Sequence, residues 1–206
     1  MLKGDLRGHV ALDALAAFPH LYALGPLEGV RGEVTILDSR PSIARIERDA
    51  VVTESTWSVR ACFLAWAQVP AWDERAADDT LPDLLSLEGM ALTLAEAGGF
   101  DLGRPFPFRV RGMADEATFH VLDKRDAVPH DHAQHERAKV RRTLWSTPVE
   151  LIGFHSRSHR GIFTPGDANV HVHLRTTDGL ISGHVEATCL ARGARVGVPL
   201  AGWAQG

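Results

Sequence analysis

The stretch from Asn169 to Glu186 constrains this chain more than any other. His171, His173 and Arg175 alternate there with Val170, Val172 and Leu174. That is the period of a β-strand with one apolar and one polar face. Asp178-Gly179 follows, the favoured pair for a two-residue hairpin turn. A second alternation then places Ile181, Val185, Ala187 and Cys189 on one parity. With a two-residue turn, Thr177 faces Leu180, His173 lies opposite His184, and His171 lies opposite Glu186. Side chains paired in this way stand about 5 Å apart. Three imidazoles and a carboxylate on one face form a donor set for a divalent transition metal such as Zn2+, which takes histidine nitrogens at about 2.0–2.1 Å. A lone strand histidine is ordinarily a hydrogen-bonded or surface residue. The third one, across the hairpin, makes His171, His173 and His184 the expected metal ligands.

The 206 residues suffice for one domain over 1–206, divisible into subdomains 1–105 and 106–206. A net charge of −4 without a long basic run argues against a nucleic-acid partner. No apolar run approaches the roughly 20 residues of a membrane span, and Met1–Arg7 lacks the apolar core of a signal peptide. Cys62 and Cys189 are far apart in apolar surroundings, as expected of free thiols in a reducing cytoplasm. A cytoplasmic location is therefore expected.

Along the chain, residues 9–18 predict a short helix ended by Pro19. Glu33 opens an alternating strand that turns at Asp38-Ser39, and residues 42–47 and 50–53 read as further strands. The apolar run 57–69 predicts one buried strand, and 70–79 an acidic connection. Thr80 is the expected cap of a helix of about eighteen residues, with Leu84, Leu87, Ala91 and Leu94 inward and Gly98-Gly99 as its stop. Residues 106–113 and 116–122 suggest a hairpin. The polar segment 123–147, with His130-Asp131-His132 and His135, reads as a solvated loop. A strand over 149–155, a loop over 156–167 and the histidine hairpin follow, and the last twenty residues predict a weak strand and a tail. Many strands with one or two helices and no regular βαβ alternation predict an α+β fold of mixed or antiparallel sheet, with the metal site on a C-terminal hairpin.

Several pieces act together. They are His171-x-His173 with Gly183-His184 eleven residues on, Gly25-x-Leu27-x-Gly29-x-x-Gly32-Glu33-Val34 followed by Asp38, and Ile152-Gly153-Phe154-His155. The helix at 81–98 and the strand Phe108-Arg109-Val110-Arg111-Gly112 join them. In order and spacing, over roughly residues 20–190, they resemble the acetolactate decarboxylases, metal enzymes that convert 2-acetolactate to acetoin and carbon dioxide. The resemblance implies that the three histidines hold zinc, that Glu33 is an active-site carboxylate, and that the chain is a homodimer. Two positions depart from the family. His120 stands where the family has an arginine pointing at the substrate. No Asp or Glu follows Glu186, whereas the family brings a glutamate from near its C-terminus.

The expected function is a zinc-dependent lyase acting on a small 2-hydroxy-3-oxo acid. Loss of carbon dioxide leaves an enediolate whose charge a chelated metal takes up, and a proton must then reach one carbon. Glu33 and His120 are the candidates for that transfer. Glu186 is a candidate fourth ligand or acid/base. Arg109 and Arg111, on one strand face, are candidates to bind the substrate carboxylate, and His155 to line the pocket. Two alternatives stand beside this reading. One is the same scaffold with changed chemistry, namely tautomerisation, cyclisation or hydrolysis. The other is a metal- or ligand-binding protein without catalysis.

Overall fold

The structure is a computed structural model that describes residues 5–164, 166, 168–200 and 203–205. It is α+β and strand-dominated, and every ladder between its strands is antiparallel among the described residues. No helix in it is long and apolar enough to cross a membrane.

The expected helix over 9–18 is replaced by β1 (Val10–Ala11) and a single 3-10 turn, Leu12–Leu15. Pro19 and the ladder of β1 on β6 (Arg60–Ala61) leave no room for a second turn. β2 (Leu21–Pro26), β3 (Glu33–Leu37), β4 (Arg40–Glu47) and β5 (Ala50–Glu54) form an antiparallel meander, in which β3, β4 and β5 lie close to the expected strands and β2 is an addition to them. The run 57–69 is not one strand. Ala61 pairs with Val10, but Ala65 pairs with Leu24 in β7 (Ala65–Gln68), so residues 62–64 cross between two ladders. β8 (Trp72–Ala76) runs through the expected connection, because residues 195–199 supply a partner strand more than a hundred residues away.

The helix α1 (Leu84–Ala97) is shorter than expected, and its cap is Asp83 rather than Thr80. Asp83 accepts from the Ser86 N–H at 2.7 Å. Leu81 is held in a bridge to Leu190, and Pro82 disfavours helical geometry at Leu81, so the helix starts three residues later. Its buried residues include Leu87, Ala91 and Leu94, on the expected stripe.

The expected hairpin over 106–122 is one strand, β9 (Phe106–Leu122). Its core-facing parity is Phe106, Phe108, Val110 and Ala114, then Ala117, Phe119 and Val121. That slip imitates a turn in the sequence, but Ala114 is fully buried in the ladder. The segment read as a solvated loop contains α2 (His132–Ala138) and the start of β10 (Lys139–His155), which pairs with β9 along its length. β11 (Val170–Thr176) and β12 (Ser182–Leu190) complete a circuit β9–β10–β11–β12–β9. β13 (Arg195–Pro199) and β8 extend that sheet, and β14 (Ala204–Gln205) joins β7 on the edge of the meander sheet. The two sheets thus draw strands from both halves of the chain.

The largest apolar cluster lies between α1 and the long-stranded sheet. β3 is what brings the two sheets to one site. All five of its residues are buried. Val34 and Ile36 pack into the meander core, while Glu33 and Thr35 face the opposite way, toward β11.

Candidate metal centre

The hairpin keeps the expected central pair. His173 lies opposite His184. Its loop is longer than two residues, since Thr176 N donates to Ile181 O and Asp178 Oδ1 accepts from Leu180 N and from the Thr176 hydroxyl. One residue leaves each strand, so the pairing sum is unchanged and the register survives. Beyond His184 the expectation fails. β12 turns onto β9 and pairs His184 with His120, and a bulge leaves Glu186 out of the ladder. Glu186 therefore does not sit opposite His171. It lies against Arg141 (2.6 Å), His120 (3.0 Å) and Lys139 (3.4 Å).

Glycine permits the close approach at two points. A Cβ on Gly183 would meet the His120 carbonyl oxygen at 2.8 Å, a backbone atom that cannot swing aside. Gly32 has φ +131° and would place a Cβ 2.4 Å from the Ala44 carbonyl oxygen. Each glycine immediately precedes a residue of the site, His184 and Glu33.

The three hairpin histidines offer ring nitrogens within 4.8 Å of one another. Both faces of β11 are buried, not one, and His173 is fully enclosed. His171 Nδ1–H donates to the Phe163 carbonyl at 2.7 Å. A carbonyl only accepts, so Nε2 of His171 carries a lone pair. His173 Nδ1 meets the Thr35 hydroxyl at 3.1 Å, and the two Nε2 atoms are 3.1 Å apart. With its proton on Nδ1, against the Thr35 hydroxyl, neutral His173 presents an Nε2 lone pair as His171 does, so both Nε2 atoms would be available to a divalent ion while the outer nitrogens are held. Burial holds His171 down to about 3 and keeps His173 and His184 well below the usual imidazole range, so all three are neutral, as ligands must be. The donor set fits a divalent metal.

Glu33 lies beside the triad, 3.7 Å from His173 Nε2 and 3.9 Å from His120 Nε2. It is 1% exposed, and its Oε1 has no hydrogen-bond partner. Burial pushes its carboxyl well above the usual range, against smaller opposing effects of the Leu122 backbone and Lys139. His120 stacks on His184 with ring centroids 4.5 Å apart. Burial lowers it, outweighing Glu186, so it is neutral and does not replace an arginine's charge. Glu186 is held down to about 2 by the His120 contact first, then by Arg141, against its own partial burial.

A cavity of about 750 Å³ opens onto His171, His184, His120 and Glu33. Its far wall includes His130, His132 and His135, the cluster read as a solvated loop, and its cation is Lys139. The histidine spacing was visible in the sequence, but its placement depends on β10 carrying α2 back over β9. Phe63, Ile162 and Phe163 also line the cavity, and no sequence signal marked them. Three expected substrate-binding residues lie elsewhere. Arg109 and Arg111 bind Glu74 at 2.7 and 2.6 Å, with Arg109 over the Trp72 ring. His155 is buried against Glu88 at 3.3 Å and is not among the described residues lining the cavity.

No protein-family model and no curated protein matches the chain. Solved structures do. The α-acetolactate decarboxylase of Bacillus subtilis strain 168 superposes with a TM-score of 0.74 at 11% identity, covering 96% of this chain and 80% of that one. The acetolactate decarboxylase of Bacillus subtilis subspecies spizizenii gives 0.74 at 12%, covering 98% and 81%. A Staphylococcus aureus protein of unknown function, described as similar to α-acetolactate decarboxylase, gives 0.69 at 13%, covering 98% and 80%. At such identities the agreement is one of architecture, and this chain has the fold of the acetolactate decarboxylases.

Proposed function

We propose that the chain is a divalent-metal-dependent lyase that decarboxylates a 2-hydroxy-3-oxo acid, with zinc as the metal. One observation carries the reading: a buried, unpaired carboxyl, Glu33, stands 3.7 Å from a histidine of a preorganised triad, at the end of a cavity. An uncompensated buried acid costs stability, and such perturbed groups concentrate at functional sites.

His171, His173 and His184 hold the ion. When bound, it supplies Lewis acidity for the negative charge left on the substrate oxygens as carbon dioxide departs. The rest falls to side chains. Glu33 is kept as a neutral acid, and its proton goes to the carbon that has lost carbon dioxide. His120 Nε2 lies 3.9 Å from that carboxyl, and Glu186 lies 3.0 Å from Nδ1. Phe63 and Phe163 give the cavity apolar lining. Lys139, between Glu136 (2.6 Å) and Glu186 (3.4 Å), is the cation nearest at hand for a substrate carboxylate.

The test is carbon dioxide release from 2-acetolactate and its homologues by zinc-loaded protein. Release should stop with a chelator and return with metal. No release at full metal occupancy overturns the reading. A second reading, the same metal scaffold used for tautomerisation, cyclisation or hydrolysis, is favoured by one observation: His120 is neutral, and no arginine is among the described residues lining the cavity. Intact carbon dioxide in a consumed substrate distinguishes it.

A further inference from the structure

The cavity is too large for the acid that the triad end alone requires. A five-carbon hydroxy-oxo acid has about nine non-hydrogen atoms. Even at a water's full share of ~30 Å³ each, it fills about a third of the space. The cavity holds about 750 Å³, within the range of pockets that enclose drug-sized ligands. Five of the fourteen lining residues beyond the triad end carry flat rings: Phe63, His130, His132, His135 and Phe163. Phe63 lies with its centroid 6.3 Å from the His171 ring. Phe163 is held in place from behind by His159, stacked at 5.0 Å, which is itself fixed by a 2.7 Å bond between its Nδ1 and the Ser156 hydroxyl. His130 and His135, also on the lining, meet edge-on at 5.4 Å. Ile162, half exposed, is part of the same lining.

We propose that the acid this site takes carries an aromatic substituent on the carbon bearing the hydroxyl, seated among the rings of Phe63, Phe163, His130 and His135. The inference rests on the hydroxy-acid reading of the triad end. Ring walls favour a ring over a chain of equal area, because offset and edge-to-face pairs add to simple burial.

Three probes share one chelating head: 2-hydroxy-2-methylpropanoate, 2-hydroxy-2-phenylpropanoate and 2-cyclohexyl-2-hydroxypropanoate. Calorimetric titration of the zinc-loaded full chain should give the phenyl acid at least about tenfold tighter binding than the methyl acid, and tighter binding than the cyclohexyl acid. Phe63→Ala and, separately, the half-exposed Ile162→Ser should narrow the phenyl-to-methyl ratio, with circular dichroism confirming an intact fold. Equal affinities for phenyl and methyl, or a phenyl gain untouched by either substitution, overturn the proposal. A cyclohexyl acid binding as well as the phenyl acid overturns its aromatic part. Failure of the lyase reading gives a different pattern: the phenyl preference persists, but neither acetolactate nor an aryl-substituted 2-hydroxy-3-oxo acid releases carbon dioxide.

Discussion

β9 carries two polar clusters, and they differ in one respect. Near its start, Arg109 and Arg111 both reach Glu74, and Arg195 approaches the same carboxylate at 3.4 Å. Near its end, His120 lies with Glu33 and the triad, and neither its ring nitrogens nor Glu33 Oε1 make a geometrically sound hydrogen bond. The first cluster is paired and half open to solvent. The second is buried beside the cavity, and those atoms lack well-formed hydrogen bonds. A fold gains from the first and loses from the second, since an unmet buried polar group costs about 1–3 kcal/mol. The difference separates a cluster that stabilises the fold from one whose cost follows the pattern of functional sites.

The comparison can be broken most forcefully at the triad. His173→Ala should cut zinc affinity by more than about 100-fold, beyond the 10–100-fold loss typical of an outer partner, read as metal per chain after dialysis. Glu33→Gln should lower turnover about 100-fold or more, in the upper part of the general-acid range, with metal content unchanged and thermal stability unchanged or raised. Thr35→Val removes the partner of His173 Nδ1 and should weaken zinc binding about 10–100-fold, measured by competition with a chelating dye. Glu74→Gln should do the reverse of Glu33→Gln: cost about 1–3 kcal/mol in denaturant unfolding with metal content intact.

The smallest effect is one of pH. Burial alone would raise the Glu74 carboxyl, but its bonds to Arg111 and Arg109 outweigh that and hold it below 4.5. Its folded pKa is depressed, so its contribution is present above the unfolded value and is lost as pH falls from about 4.5 through the folded value. Unfolding curves of Glu74→Gln should show a flatter decline over that window than the parent.

The histidine alternation, the Gly183-His184 pair and the β3 strand with Glu33 could be read from sequence because each is local: a period of two and a glycine where backbones touch. The rest depended on partners distant in the chain. β8 resembles a connection in sequence because its alternation is charged and its partner residues lie in β13. β9 resembles two strands because its core-facing parity slips between Ala114 and Ala117. Arg109 and Arg111 resemble substrate ligands in sequence because Glu74 lies 35 and 37 positions away and nothing local announces it. His130 and His135 reach the cavity only once β10 folds back along β9. Glu186 left the expected square through a bulge that register arithmetic does not contain.

The central claim is that this chain holds one divalent ion on His171, His173 and His184. Calorimetric titration of chelator-stripped protein with zinc tests it most directly, beside His171→Ala under the same conditions. One ion bound tightly per chain by the parent and none by the variant is the predicted result. A parent that binds no zinc, or a variant that binds it as well as the parent, contradicts the account.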